Sequence, residues 1–595
     1  MRFNLIPALL RSSVGALALS ILPIAAMAQT QTWIHPGVLV SAQQLDAATA
    51  SYNTGSGTVY SQVQKAMNST YGSTSYTVQG PWSGGVEQCG SNSNPNNGCL
   101  ESDNDSNAAY VQALLWYITG NQSYANNAMN IMNTYASQFK GFAGYTPGHS
   151  CPSGTDCSNG PLQAGWDSEK WPRAAEIIRY GHGGSAGWST TNFNAFKTMM
   201  TNIYLPIIQN GSGVNGNWDM SMIEGIMGIA VLTESTSLLS TARSFWLGRV
   251  PDLFYYQPQD GNAHASSPRG TPSWFGQSIF NSSTSLVSQE TCRDLRHAED
   301  SLAGTINTAE TDWIQGGSLY TNTTIDAEAR IVGAMNQLAG FESQGNHSTT
   351  NPPPITAPAS YCTSSGATNI GEITPGVGTT YAIGYNAYRN RLNVATMADG
   401  SGSSGLNGTA NTYNWIQNGL LTQTLNNDYG NHMTLFEALT HTAEVCNNVG
   451  ATWTNAGYIS QTGSPTVKFN ATPSANGINA VVGLTNGPQS AYANLAAIVR
   501  FNPSGFIDAY NGTGYSAASN IPYSGGTTYS FWIELNIPAQ TYSVYVTPHD
   551  GTQVLVGSNY AFRLSATTLN NVTMYSQVGS DTVCSFNLPL GGNQP

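Results

Sequence analysis

The sequence predicts an α/α toroid, two concentric layers of helices forming an incomplete barrel, followed by a C-terminal antiparallel β-sandwich. Three observations carry this expectation. From about Ser41 to Glu444, apolar residues recur at helical spacing. Some of these helices are apolar on every side and others carry a single stripe, so buried helices alternate with covering ones. After about Gly450, short runs rich in Val, Ile, Tyr and Phe take over, bounded by Gly, Asn and Pro.

The chain opens with Arg2 and Arg11, an apolar run from Val14 to Ala26, and Ala26-Met27-Ala28 before Gln29. A basic start, an apolar stretch too short to span a bilayer and a small-x-small ending predict a cleavable signal peptide over residues 1–28. No later stretch is apolar for long enough to cross a membrane. The mature protein is therefore expected to be secreted or periplasmic, with the toroid over 29–455 and the sandwich over 465–595.

Ala108, Val111, Leu115 and Ile118 follow helical spacing, while Tyr110, Leu114 and Tyr117 fill the opposite face, as in a helix buried all round. One-sided helical patterns follow at residues 174–180 and 192–209. Met220, Ile223, Met227, Ala230 and Val231 form the next stripe, thickened by Ile226 and Ile229 into a second buried helix. The stretch from Gln289 to His297 reads as a helix that sets Arg293 and His297 one turn apart on one face. Patterns at 237–246, 324–341 and 435–445 again read as one-sided covers. Residues 344–360, with Pro352, Pro353, Pro354 and Pro358, form an extended connector, and 398–412 a Gly/Ser-rich surface loop. In the C-terminal part, runs at 480–484, 495–501, 529–535, 541–546 and 554–556 read as strands, with Tyr542, Val544 and Val546 alternating as in a half-buried strand.

Only 9% of residues are charged, and the net charge is −13; without Arg2 and Arg11 it becomes −15, 17 basic residues against 32 acidic. This balance argues against nucleic acid as a partner. A polyanion could bind only where local positive potential overrides the global field. Eight cysteines in an exported chain point to disulfides. Cys89/Cys99 and Cys151/Cys157 are close enough to staple two loops, and Cys362/Cys446 is a candidate longer bridge, which leaves Cys292 and Cys584 over.

Several motifs fail on inspection. Asp103, Asp105 and Asn107 begin like a calcium loop, but its sixth and twelfth positions are Ala108 and Leu114. His182, His432 and His441 lack zinc-ligand spacing, so neither a metal nor another cofactor is expected. Gly183-Gly-Ser-Ala-Gly187 matches a nucleophile elbow, yet a helix rather than a strand precedes it, so it reads as a turn.

Other segments occur in an informative order: Ala108–Gly120; Ala174–Tyr180; Asn215-Gly-Asn-Trp218 leading into Glu224; Gln289-Glu-Thr-Cys-Arg-Asp294 with His297; Glu372; Gly384-Tyr-Asn-Ala-Tyr388 with Arg391; and Glu437–His441. Taken together, about His35 to Glu444 resembles the alginate lyase-like family of secreted polysaccharide lyases, within the chondroitin AC/alginate lyase superfamily. The resemblance implies an α/α toroid and β-elimination of a uronic-acid-containing polysaccharide. Such an elimination removes the weakly acidic C5 proton next to a carboxylate. A neutralising amide or guanidinium must therefore stabilise the enolate-like transition state more than the ground state, while a Tyr or His takes the proton and an acid serves the leaving oxygen. That chemistry needs no metal in principle.

On this reading, Asn217 neutralises the carboxylate from a helix N-terminus, where free N–H groups favour anions; the alternative is an N-cap. Arg293 lies near the carboxylate and His297 is base or acid, against a plain ion-paired helix face with Glu290, Asp294 and Asp300. Tyr385 is the candidate base, with Tyr388, Arg391, Trp218 and His182 binding substrate. Arg389 and Arg391 are expected to lower a neighbouring tyrosine's pKa. The chain departs from the family pattern twice. Arg296-His297-Ala298-Glu299-Asp300 stands where relatives resemble Gly-His-Thr-Gln-Tyr, and Ala387 stands where they resemble Tyr-Asn-His-Tyr. These departures keep two other readings open: a glycoside hydrolase using a pair among Asp167, Glu176, Glu224 and Glu290, and a non-catalytic glycan binder. In the sandwich, Tyr510, Tyr515, Tyr523 and Tyr529 could stack on glycan or simply pack.

Overall fold

Helix α1 (Ala42–Asn53) starts at Ser41, whose hydroxyl accepts from the Gln44 N–H while the Gln44 side chain returns to the Ser41 N–H, a capping box. Similar local signals start α4 (Gln122–Gln138) at Asn121, α6 (Thr190–Met199) at Ser189 and α9 (Thr236–Leu253) at Ser235. The computed structural model describes residues 31–213, 216–261, 274, 286–291, 293, 295–342, 355–356, 369–370, 378–392, 394, 412, 416, 435–442, 446–548, 552–588 and 590–591. The expected signal segment, Cys292, Cys362, His432 and the Gly/Ser-rich stretch up to residue 411 lie outside these, as does the connector apart from 355–356.

The remaining helices are α2 (Gly57–Asn68), α3 (Cys99–Thr119), α5 (Gly160–Tyr180), α7 (Leu205–Ile208), α8 (Gly216–Leu232), α10 (Gln257–Asp260), α11 (Leu295–Ile314), α12 (Ala327–Glu342), α13 (Gly378–Tyr385) and α14 (Ala438–His441). Short ribbons link them. β1 (Val86–Cys89) lies between β2 (Asn96–Asn97) and β3 (Gly141–Phe142), β4 (Phe254–Tyr256) pairs with β5 (Leu286–Ser288), and β6 (Ile355–Thr356) with β7 (Asn369–Ile370).

Helices α3, α5, α8 and α11 are buried almost all round. Cross-helix partners show that they run parallel, because the residue numbers rise together. Ser102 and Asp103 of α3 meet Asp167 and Lys170 of α5 at 2.9 Å each. Gly165 and Ser168 of α5 face Ser221 and Gly225 of α8, and any side chain at Gly165 or Gly225 would overlap the facing serine. Small residues thus set how closely α5 and α8 approach. Glu224 of α8 meets Asn307 of α11 at 3.0 Å, and Glu299 of α11 meets Tyr381 of α13 at 2.6 Å. The ring continues through Thr379 of α13 to Glu437 beside α14 at 3.0 Å, and α14 packs on α1 and α2, with α1 returning to α3. Parallel inner helices joined through the antiparallel covers α4, α6–α7, α9 and α12 make the expected two-layered α/α toroid.

The half of α5 before Ala174 escaped the sequence pattern. Its buried positions there include Gln163, Asp167, Ser168, Glu169, Lys170 and Arg173, and Pro172 stands inside the helix. A helix whose buried face is polar leaves no apolar period to read. The predicted helix over 192–209 is continuous, but a single π-turn at Met200–Tyr204 divides it.

The C-terminal part is a sandwich of two antiparallel sheets. Its strands are β8 (Cys446–Val449), β9 (Thr454–Gln461), β10 (Thr466–Pro473), β11 (Asn479–Thr485), β12 (Ala497–Phe501), β13 (Ile507–Asn511), β14 (Gly514–Ser516), β15 (Tyr529–Asn536), β16 (Thr541–Pro548), β17 (Val554–Ala561), β18 (Leu569–Val578), β19 (Asp581–Cys584) and β20 (Leu590–Gly591). One sheet has the order β17-β16-β15-β10-β19-β8 and the other β14-β13-β12-β11-β18-β9-β20. Phe469, Phe531, Val544, Val482, Val499 and Met574 meet between them. Cys446 stands directly opposite Cys584 across β8 and β19, and the two form a disulfide. This corrects the expected Cys362/Cys446 bridge: strand register, which spacing does not reveal, chooses the partner. Cys89–Cys99 and Cys151–Cys157 are bonded as expected.

The sandwich meets the toroid through the outer face of its six-stranded sheet. Lys468 Nζ donates to Leu392 O at 2.9 Å, and Trp313 Nε1 donates to Asn587 O. Among the described residues, no helix is long and apolar enough to cross a membrane.

Candidate functional site

Parallel inner helices gather their N-terminal ends at one end of the ring, and residues 216–218, 289–291, Arg293 and 297–301 come together there. The pairing of β4 with β5 delivers the turn that follows, since Gln289 N donates to Leu253 O at 2.7 Å. The Gln289 side chain accepts from Gly216 N at 3.2 Å, which joins the turn to the start of α8. Glu290 is buried and accepts from Arg293 Nη1 at 2.7 Å and from Ser301 Oγ at 3.4 Å. Ser301 also donates to His297 O at 3.2 Å. Glu290 therefore ties the Arg293 guanidinium to Ser301 in the first turns of α11. Arg293 itself lies in the turn, its N–H bonded to Glu290 O at 2.8 Å, with α11 starting only at Leu295. The expected single helical face carrying Arg293 and His297 is thus replaced by a turn followed by a helix.

Asn217 is only 1% exposed, yet among the described residues neither its amide nitrogen nor its amide oxygen has a hydrogen-bond partner. It lies in the first turn of a 17-residue helix, where backbone N–H groups and the helix dipole favour an anion. A buried amide left unpaired costs about 1–3 kcal/mol. Trp218, next to it, is the one residue of α8 that is not buried.

Asn217 and Glu224 are seven residues apart and share a face of α8. Following that face inward leads to a charged centre. Arg173 Nη2 pairs with Glu224, Arg173 Nη1 with Glu437 at 3.1 Å, and Glu169 lies 4.0 Å away. Asn307 donates to the second oxygen of Glu224. Three carboxylates around one guanidinium in a buried site cannot all ionise cheaply. Burial and then the charge of Glu224 push Glu169 well above the usual carboxyl range, and burial raises Glu224 despite the pull of Arg173. Of these, Glu224 and Glu437 were legible in the sequence. Glu169 and Arg173, an i,i+4 pair, were missed because α5 was read only from Ala174.

Trp166, on α5, packs against Ala303 of α11 and lines a groove shared with Gln163, Asp103, Asn159, Asn96 and Leu100. Beneath the groove, Ser102 donates to Asp167 at 2.9 Å and to Glu87 at 3.2 Å. Burial pushes Asp167 up to about 8 and raises Glu87 with it. Glu87 also clusters with Cys89 and Cys99, but that pair is a disulfide and offers no thiolate to a metal.

The other expected substrate-binding residues sit elsewhere. His182 follows the C-terminus of α5, stacks on Tyr117 with ring centroids 3.9 Å apart, and bonds Tyr117 O at 2.8 Å. Tyr388 is fully buried, with its hydroxyl donating to Tyr320 O at 3.1 Å. Burial and then Glu328 raise its pKa well above the usual phenol range, outweighing the expected downward pull of Arg391. Arg391 pairs with Glu310 and lies 3.7 Å from the Trp313 ring centroid. Although burial opposes ionisation of Glu310, Arg391 and His441 pull it down to about 2. These groups belong to the C-terminal ends of the inner helices, away from Asn217. Tyr385 ends α13, half-buried, one turn past the Tyr381 that binds Glu299. The four carboxylates considered for hydrolysis are spread out as well: Asp167 sits near the start of α5, while Glu176 pairs with His35 at 2.7 Å near its end.

No family model matches the chain. Over 109 residues, 18% of its length, it is 33% identical to a gellan lyase from Bacillus sp., and it spans only 4% of that relative's length. Among solved structures it is similar to an alginate lyase from Bacteroides ovatus, at 12% identity over 59% of this chain and 92% of that one, with a TM-score of 0.38. It is also similar to congerin II, at 12% identity over 23% of this chain and 98% of that one, with a TM-score of 0.17.

Proposed function

We propose that this chain is an exported polysaccharide lyase that cleaves a uronic-acid-containing polymer, alginate-like or glucuronan-like, by β-elimination. The observation that carries the reading is the buried, unpartnered amide of Asn217 at the start of α8, in the same corner of the ring as Arg293 and His297. A uronate carboxylate there would accept from the Asn217 amide and the helix N-terminus, with Arg293 as its counter-charge. Neutralising that carboxylate makes the C5 proton removable, because charge then develops onto groups already placed to receive it. His297, in the first turn of α11 at that corner, takes the proton or serves the departing glycosidic oxygen; Tyr385 ends α13, away from it. The short match to a gellan lyase agrees with this class of reaction.

The test is to incubate the full chain with a panel of uronans and follow the absorbance of the unsaturated uronyl end that elimination creates. New reducing ends without that absorbance would replace the proposal with hydrolysis, and binding with neither product would reduce the protein to a glycan binder.

A further inference from the structure

The sandwich has two outer faces. Lys468 and Trp532 on the six-stranded sheet turn toward the toroid. The seven-stranded sheet turns its own outer face the opposite way, and that face carries a band of aromatic rings. Trp453 and Tyr575 stack at 4.5 Å, and Tyr492 meets both edge-on at 5.1 and 5.6 Å. Tyr510 and Tyr515 meet at right angles 5.2 Å apart. All five rings are half-buried, seated on Val481, Leu495 and Ile498. Such a row exceeds what a solvated sheet face needs, since aromatic area left partly in water is a cost unless something covers it.

Two arginines lie among the rings. Arg500 is 3.6 Å from the Tyr515 centroid, but Asp508 takes it in a bidentate pair at 2.8 and 2.7 Å. Arg563 is 4.7 Å from the Tyr510 centroid, and among the described residues no carboxylate pairs with it. In a chain with net charge −13 and few cations, an unpaired guanidinium held on a ring is a specific choice for an anion. From Tyr510 on β13 to Tyr575 on β18 the path crosses β12 and β11, three strand spacings or about 14 Å. Flat rings for sugar faces and a guanidinium for a carboxylate define the ligand.

We propose that this face is a second binding site, separate from the ring of helices, which holds an acidic polysaccharide chain across the strands, with sugar rings on Trp453, Tyr492 and Tyr575 and a uronate carboxylate at Arg563. The acidic polymer is the one assigned above as substrate, so the site would hold it while the toroid acts on it.

Affinity electrophoresis of the full chain tests this, with a uronan or a neutral glucan cast into the gel. Uronan should retard the wild-type protein, neutral glucan should not, and Arg563→Gln and Trp453→Ala should each weaken retardation about fivefold, with thermal unfolding unchanged. Arg563→Lys, which keeps the charge, should recover part of the loss. All of these variants should cleave short uronan oligosaccharides at the wild-type rate. Wild-type retardation in both Arg563→Gln and Trp453→Ala would overturn the site, as would equal retardation by neutral glucan. So would a wild-type dimer that Trp453→Ala converts to monomer, since the face would then be covered by a second copy. A wild-type chain that produces no unsaturated ends, yet is retarded through Arg563, would end the lyase reading and leave this site standing.

Discussion

Asn217 and Glu224 stand two turns apart on one face of α8, yet among the described residues Glu224 alone of the two has side-chain partners, Arg173 and Asn307. One inner helix thus presents a filled structural pair and, nearer its N-terminus, an empty amide. The two positions should respond to mutation in opposite ways.

Asn217→Ala removes a buried polar group that has no bond to lose. Its unfolding midpoint in denaturant should equal or exceed that of the wild type. A loss of more than about 1 kcal/mol would show that the amide has a structural partner after all.

Arg173→Met should behave otherwise. It strands Glu169, Glu224 and Glu437 around a lost guanidinium, and breaking a buried pair in this way costs about 3–5 kcal/mol. Chemical denaturation would register that loss. Unchanged stability would mean that the three carboxyls need no counter-charge.

Asp167 makes the stability depend on pH. Its folded carboxyl is pushed up to about 8 from an ordinary 3.8, so the folded chain holds a proton that the unfolded chain releases. Stability should therefore fall as pH rises between those two values, by up to about 1.4 kcal/mol per pH unit. Asp167→Asn should flatten this slope, and an unchanged slope would place its origin in another group.

The Cys446–Cys584 bond joins residues 138 apart in sequence, so it restricts the unfolded chain strongly. Replacing both cysteines with alanine should lower stability by about 2–5 kcal/mol while leaving cleavage of short substrates unchanged.

The fold was legible where burial is apolar. Met220 to Val231 advertises a helix enclosed on all sides, and Tyr542, Val544 and Val546 a strand with one face inside. It was illegible where the interior is charged: Glu169, Lys170 and Arg173 are buried within α5 and mimic a solvated segment. The candidate site was legible in part. Asn217 and His297 stand where inner helices begin, and such positions converge in a toroid. Tyr388, Arg391 and His182 look equally functional in sequence, but they belong to the opposite ends of parallel helices, a distinction that exists only once the ring is closed.

In the proposed elimination, Asn217 masks the uronate charge. The most direct measurement is the rate at which wild type and Asn217→Ala, matched for folded protein, form unsaturated uronyl ends on a cleavable uronan. The wild type should form product, and the variant should do so at a rate at least about 100-fold lower. Equal rates from the two proteins, or chain cleavage without unsaturated ends, would contradict that role.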